Sequence, residues 1–425
     1  MITTKNISTT TSVFLKLIFF ITLIVITSNT IIYFSEKFIF GERFLFDDLL
    51  MNYCAGKIYS VGISPYGFGL GGKTPIPLIE CMKNIIGNDW GMPVYLYSPS
   101  YLKILSSISI LDFNFVKKVW ILISCISIFL IMFFSYKIFP IKKFKIIYPL
   151  IIYFSFGGIL VNALKTGNVS NIIYGLLALS IFFLYKNYKI IFSLIIILLS
   201  LIKPHFFIFI FLGLFIYEKK FIKHIIISFL AIISCYLYYF LFETELFLEF
   251  LKNLQVINTR EFYFSFNYTV GLKSIIESLP TNFANLFNFY ILAGPSLLKN
   301  IIWLFFLFFI VTGTIFYRSS LKINNLNNEN KKKLIALGSI IALLINPNVT
   351  IYDFYLFVPS IFYLINNTKF HNLPINLSLF RYILIMVCIV VQDINLPFFL
   401  ATIFYFYIIF YLFKKKIDVL NFIKK

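Results

Sequence analysis

Asp47 and Asp48 stand side by side just after the first membrane-length apolar run of this chain, at the head of the stretch Phe46–Tyr66, FDDLLMNYCAGKIYSVGISPY. A carboxylate turned towards lipid is costly and persists mainly where it functions. A pair at this point is therefore expected at the membrane surface or in a cavity, where it can act as a general base or bind polar groups of a substrate. The plainer reading is that the pair marks the start of a solvated loop, where carboxylates cost little. Further polar groups stand at the ends of later apolar runs: Lys165 with Asn168, Lys203 with His205, and Tyr352 with Asp353. Singly each has a structural explanation, since Lys165 can snorkel, Lys203 can cap a short helix and Asp353 can start one. What lifts them above that is a shared position, which depends on how the chain is threaded.

Of 425 residues, 60% are hydrophobic, 20% aromatic and only 13% charged, far from a soluble globular composition. The chain reads as an all-α polytopic membrane protein, one integral membrane domain over residues 1–425. A net charge of +20 raises nucleic acid as a partner, but the Lys and Arg residues fall between apolar runs and form no single stripe. The excess of basic residues on one side of a bilayer accounts for them, and no nucleic acid is expected. Runs long enough to cross, with short ones allowed beside a Pro or a lysine-rich turn, give about 12 spans. Their cores lie near 13–34, 116–137, 146–163, 169–185, 188–202, 204–217, 221–242, 298–317, 334–346, 354–366, 378–392 and 397–413. The first is too long for a signal-peptide core and lacks a small-residue cleavage site, so it is expected to remain as an anchor.

Lysine placement sets the orientation. Lys137, Lys142, Lys143 and Lys145, then Lys186 and Lys189, Lys219, Lys220 and Lys223, Arg318, Lys322, Lys331 to Lys333, and the tail lysines from Lys414 onward all fall on one side. That side and both termini are expected to be cytoplasmic. Two long loops, 35–115 and 243–297, then lie on the periplasmic side, and loops of that length usually carry function. The first holds Asp47, Asp48, the Gly- and Pro-rich Ser64–Pro77 and the amphipathic Tyr97–Leu111, which suits a helix lying in the membrane interface. The second holds Glu243, Glu245, Glu249, Arg260, Glu261 and Asn267. With this threading the Asp pair, Lys165, Asn168, Lys203, His205, Tyr352 and Asp353 arrive at one membrane face, as a binding site requires. Cys125, Cys235 and Cys388 lie in apolar runs, where buried thiols are the expectation, whereas Cys54 and Cys81 share the first loop; an oxidising compartment would allow them to pair, and spacing alone leaves this open.

The order of several short blocks is similar to that of a known family. Asp48 with Tyr53, Ala55, Gly56, Gly62 and Pro65-Tyr66 resembles the pattern opening the first periplasmic loop of glycosyltransferase family 87, in the GT-C superfamily. Tyr97-Ser98-Pro99 with Leu102 resembles its Y-P-P-L block, and Trp120 sits where its next span begins with a Trp. Gly167-Asn168 with Asn171 is similar to its G-Q-x-N turn, Ile202-Lys203-Pro204-His205 to its K-P turn, and Asn346-Pro347 with Tyr352-Asp353 to its S-P and Y-D turn. The likeness runs from about residue 13 to 366. It departs from the pattern at Asn168 and His205, each in place of Gln, and at Ser98 and Ser100 around the retained Pro99.

The resemblance implies a GT-C-like bundle in a bacterial cytoplasmic membrane, its active site facing the periplasm or cell exterior. The implied reaction moves a sugar, typically mannose, from a polyprenyl-phosphate donor to a lipid-linked or cell-envelope glycan, by an inverting displacement without metal or cofactor. In that frame Asp48 is the base, preferred to Asp47 by its spacing to Tyr53, Ala55 and Pro65-Tyr66. Lys203, with His205 or Lys165, is the counter-charge for the leaving phosphate. Asp47, Tyr66, Tyr97, Asn168, Arg260, Asn267, Tyr352 and Asp353 complete the expected substrate contacts. Competing readings are a transporter or flippase of undecaprenyl-linked glycans, which predicts repeat symmetry between halves, and a polysaccharide polymerase, which predicts arginine-rich periplasmic loops.

Overall fold

Apolar runs punctuated by Pro, Gly and lysine-rich turns become helices separated by short breaks. The computed structural model describes residues 21, 46–67, 75–87, 95–140, 163–257, 296–320, 328–346, 353, 356, 358–360, 363 and 364. Among these residues there is no strand. They fall in two compact units, one built from 46–134 and 163–257 and the other from the remainder.

In the first unit, α1 (Asp47–Ser60) opens with both carboxylates in its first turn, where they complement the positive end of the helix dipole. Helix α2 (Ile76–Ile86) starts at Pro75 and stops at Gly87, whose φ of 79° is the left-handed C-cap conformation. A disulfide joins Cys54 of α1 to Cys81 of α2, with the Cα atoms 5.7 Å apart. Helix α3 (Pro99–Ile108) has Pro99 at its first position and Ser98 as N-cap, the hydroxyl accepting from the Tyr101 amide at 3.3 Å. Helices α1 and α3 meet backbone to backbone at Gly56, where a Cβ would fall 2.5 Å from the Leu105 carbonyl; only Gly allows that approach. The Tyr53 hydroxyl ties α1 to the segment after α3 by donating to the Leu111 carbonyl at 2.9 Å.

Helix α4 (Phe113–Ile138) runs 26 residues, longer than a bilayer core is thick. Helices α5 (Ser170–Tyr185) and α6 (Lys189–Ile202) pack against each other and are joined by the tight turn at Lys186–Tyr188. Pro204 ends α6: the residue before a proline is driven from the helical region, and Lys203 is extended at φ −129° and ψ 106°. The chain continues as a 3₁₀ helix over Pro204–Ile210, α7 (Phe211–Tyr217), a 3₁₀ turn over Glu218–Phe221, α8 (Ile222–Phe242) and α9 (Thr244–Ile257). The second unit contains α10 (Ser296–Ser320) and α11 (Asn328–Ile345), the latter buried on all sides from Leu334 to Leu344.

By length and composition, Phe113–Ile138 and Pro204–Phe242 can cross a membrane, and Ser170–Tyr185 and Lys189–Ile202 are shorter apolar helices. Helices thus cover the expected cores 116–137, 169–185, 188–202, 221–242, 298–317 and most of 334–346. The core expected at 204–217 is half 3₁₀, because Pro204 cannot donate to the preceding turn. The cores at 378–392 and 397–413, all of 13–34 but residue 21, all of 146–163 but residue 163, and about half of 354–366 lie outside the described residues. The amphipathic Tyr97–Leu111 forms α3, and the second long loop opens with α9.

Candidate active site

The site is assembled from the start of α1, the turn before α5 and the end of α6. That turn is shaped by Gly167, whose φ of 69° lies in the left-handed region that favours glycine. It is also close to α1: a Cβ on Gly167 would sit 2.7 Å from the Leu49 Cβ and 2.9 Å from the Phe46 ring. From the other side the buried Trp120 indole donates to the Gly167 carbonyl at 2.9 Å. Held this way, the turn presents Asn168, whose amide nitrogen donates to Asp48 Oδ2 at 2.8 Å while its Oδ1 accepts from the Ser170 amide at 2.8 Å.

A second arm reaches the same turn from α6. The Lys203 ammonium donates to Ser170 Oγ at 3.3 Å and lies 5.5 Å from the centre of the Tyr97 ring, within cation–π range. Tyr97 is itself fixed, because the Tyr66 hydroxyl donates to its carbonyl at 2.7 Å and the Tyr95 and Tyr101 rings flank it. Ser98 locks the block to the end of α6: its amide donates to the Ile202 carbonyl at 3.4 Å and its hydroxyl donates to the Leu201 carbonyl. Asp48, Asn168, Ser170 and Lys203 therefore form one polar chain, joining a carboxylate to a cation 155 positions later in sequence.

Both carboxyls are held above the ordinary carboxylate range. Burial pushes Asp47 up to about 7, helped by the neighbouring Asp48 charge and opposed by a backbone hydrogen bond and by Lys165. Burial also raises Asp48, against the stabilising Asn168 hydrogen bond and the Lys203 charge. Asp48 thus combines the hydrogen bond that orients it with a proton affinity raised by burial, a change in the direction that suits a general base.

The structure brings together Asp48, Asn168, Lys203, Tyr97 and, through Tyr97, Tyr66. Asp47 adjoins them, with the Lys165 charge acting on it. His205 lies on the 3₁₀ helix with its ring 4.9 Å from that of Phe206. Asp353 is buried in the other unit, and Arg260, Asn267 and Tyr352 lie outside the described residues. Cys54 and Cys81, which spacing alone did not pair, are joined. Sequence reasoning missed Ser170: a lone Ser at the start of an apolar run carries no pattern, and only the approach of α6 reveals its hydroxyl. The indole bond of Trp120 was equally hidden, although its position was noticed.

The family profile of glycosyltransferase family 87 matches residues 95–347, more than half of the chain. No curated protein and no solved structure matches.

Proposed function

The chain belongs to glycosyltransferase family 87 and is a membrane glycosyltransferase, and from that premise we propose that it transfers a sugar, mannose by resemblance, from a polyprenyl-phosphate donor to a lipid-linked or cell-envelope glycan. The acceptor hydroxyl attacks the anomeric carbon as the bond to the phosphate oxygen breaks, giving inversion in one displacement. The hydroxyl proton passes to Asp48, and the leaving phosphate keeps the bonding pair with its charge balanced by Lys203. The observation that carries this reading is the hydrogen-bonded chain from Asp48 through Asn168 and Ser170 to Lys203, which sets a base and a cation on one scaffold.

Two other features support it. A groove of about 490 Å³, within the usual range for ligand sites, is lined by Ser100, Leu198, Leu201, Cys235, Tyr239 and Ile202, the residue before Lys203. Its apolar walls suit the hydrocarbon end of a lipid-linked donor. The Cys54–Cys81 disulfide suits an oxidising compartment, in line with a periplasmic first loop. Membership of a transferase family favours this reading over a transporter or flippase.

The test is purified full-length protein with radiolabelled polyprenyl-phosphate mannose and envelope lipid extract. Asp48→Asn keeps size and most hydrogen bonds, and transfer is expected to fall by at least about a hundredfold while donor binding survives. Asp47→Asn is expected to cost much less. A dead Asp47→Asn beside a near-parent Asp48→Asn would move the base by one residue, and full activity in both would reject the mechanism.

A further inference from the structure

Ser170 touches both arms of the site, and it does so with different atoms. Its amide donates to Asn168 Oδ1, on the side of Asp48, and its hydroxyl accepts from the Lys203 ammonium. The residue is fully buried at the first position of α5, so neither atom is free to turn towards water. Lys203 carries a flexible four-carbon stem, and a flexible ammonium binds an anion well only if its position is restricted beforehand. One tether is the Ser170 hydroxyl at 3.3 Å, and the Tyr97 ring lies within cation–π range. The geometry points to Ser170 as a positioning residue of the phosphate half of the site: its hydroxyl presets Lys203 for the donor phosphate, while its amide independently fixes the Asn168 that orients Asp48.

This rests on the reading of Lys203 as the counter-charge for the donor phosphate, and it separates the two arms in a way that reading does not. Ser170→Ala removes the hydroxyl and leaves the amide. It is therefore expected to act on donor binding and leave the base arm intact, whereas Asn168→Ala acts on Asp48 and leaves the Lys203 contact. The groups acting on Asp48 include Asp47 on α1, Asn168 and Thr166 in the turn and Lys203 from α6; Ser170→Ala alters none of them chemically.

The experiment measures equilibrium binding of undecaprenyl phosphate and steady-state transfer for the parent, Ser170→Ala, Ser170→Thr, Asn168→Ala, Lys203→Met and the Ser170→Ala/Lys203→Met pair, all as full chain in the same detergent. Ser170→Ala should weaken undecaprenyl phosphate binding and raise KM for the sugar donor by about tenfold, the scale of a hydrogen bond to a charged group, with the pH profile of kcat unmoved. Ser170→Thr, which keeps a hydroxyl, should lie closer to the parent than Ser170→Ala. In the Lys203→Met background the same Ser170→Ala change should have no further effect on binding, since the two groups act as one unit. Asn168→Ala should shift the pH profile of kcat and spare undecaprenyl phosphate binding. Equal weakening by Ser170→Ala with and without Lys203 would show a merely structural role and overturn the inference, as would unchanged binding in Ser170→Ala. If the parent binds no undecaprenyl phosphate, the donor reading itself fails; if it binds and Lys203→Met weakens binding while Ser170→Ala does not, only the role of Ser170 fails.

Discussion

Replacing Gly167 by Ala tests whether the turn before α5 sets the geometry of Asp48. A residue with a Cβ at φ 69° carries about 1–2 kcal/mol of strain. The added carbon would also stand 2.7 Å from the Leu49 Cβ and 2.9 Å from the Phe46 ring. The Leu49 Cβ is fixed to the α1 backbone and has no rotamer that moves it away, so the overlap falls in the range of core overpacking, about 1–3 kcal/mol. Left unrelieved the two effects would total about 2–5 kcal/mol. The chain reduces this by moving the turn away from α1, and a hydrogen bond of 2.8 Å between Asn168 and Asp48 does not survive a shift of roughly an ångström. Losing a hydrogen bond to a charged group is worth about 1.5–3 kcal/mol, or about ten- to a hundredfold in kcat. The expected outcome is thus a lower midpoint in thermal unfolding by intrinsic fluorescence, together with a ten- to hundredfold fall in kcat at little change in donor KM. Trp120→Phe, which removes the indole bond to the Gly167 carbonyl but leaves the backbone unstrained, should move both quantities the same way and by less. A Gly167→Ala protein with parent stability and parent kcat would refute the account; lower stability with parent kcat would show that the turn supports the fold without steering Asp48.

Lys203→Met should weaken donor binding by about ten- to a hundredfold while leaving the unfolding midpoint near the parent value, and equal donor affinity in the two proteins would remove Lys203 from the phosphate site. Because folding raises the Asp47 carboxyl to about 7 from an ordinary value near 3.8, the native state holds a proton that the unfolded chain has released between those limits. Its contribution favours folding below about pH 4 and is lost as pH rises towards 7; Asp47→Asn should therefore flatten the decline in thermal midpoint over that window, and an unchanged slope would refute the burial argument. A cysteine introduced at Gly71 should react with a membrane-impermeant maleimide added to intact spheroplasts, and reaction only after permeabilisation would reverse the orientation read from the lysines.

The helical class was legible because runs such as Phe113–Ile138 are apolar, long and bounded by charge, a signal that depends on no partner. The break at Lys203 was legible for the same kind of reason, since Pro204 acts on its immediate neighbour. Asp48, Asn168 and Lys203 could be nominated because ionisable and amide groups stand out at the ends of apolar runs. Their connection could not, because it runs through Ser170 and rests on a turn held at the Gly167 carbonyl by Trp120, groups whose importance comes from what approaches them in space. The pairing of Cys54 with Cys81 was hidden for a related reason: it depends on how α1 and α2 lie against each other, and cysteine spacing does not fix that.

The seam between Ser98 and the end of α6 limits what can be exchanged among relatives. The Ser98 amide and hydroxyl satisfy the carbonyls of Ile202 and Leu201, two acceptors that the helix cannot pair by itself because Pro204 follows. A proline at position 98 would supply neither donor. The Tyr97-Ser98-Pro99 block and the Ile202-Lys203-Pro204 turn, a hundred residues apart, are thus two halves of one part. Transplanting either into another member of the family without the other would leave open carbonyls beside Lys203.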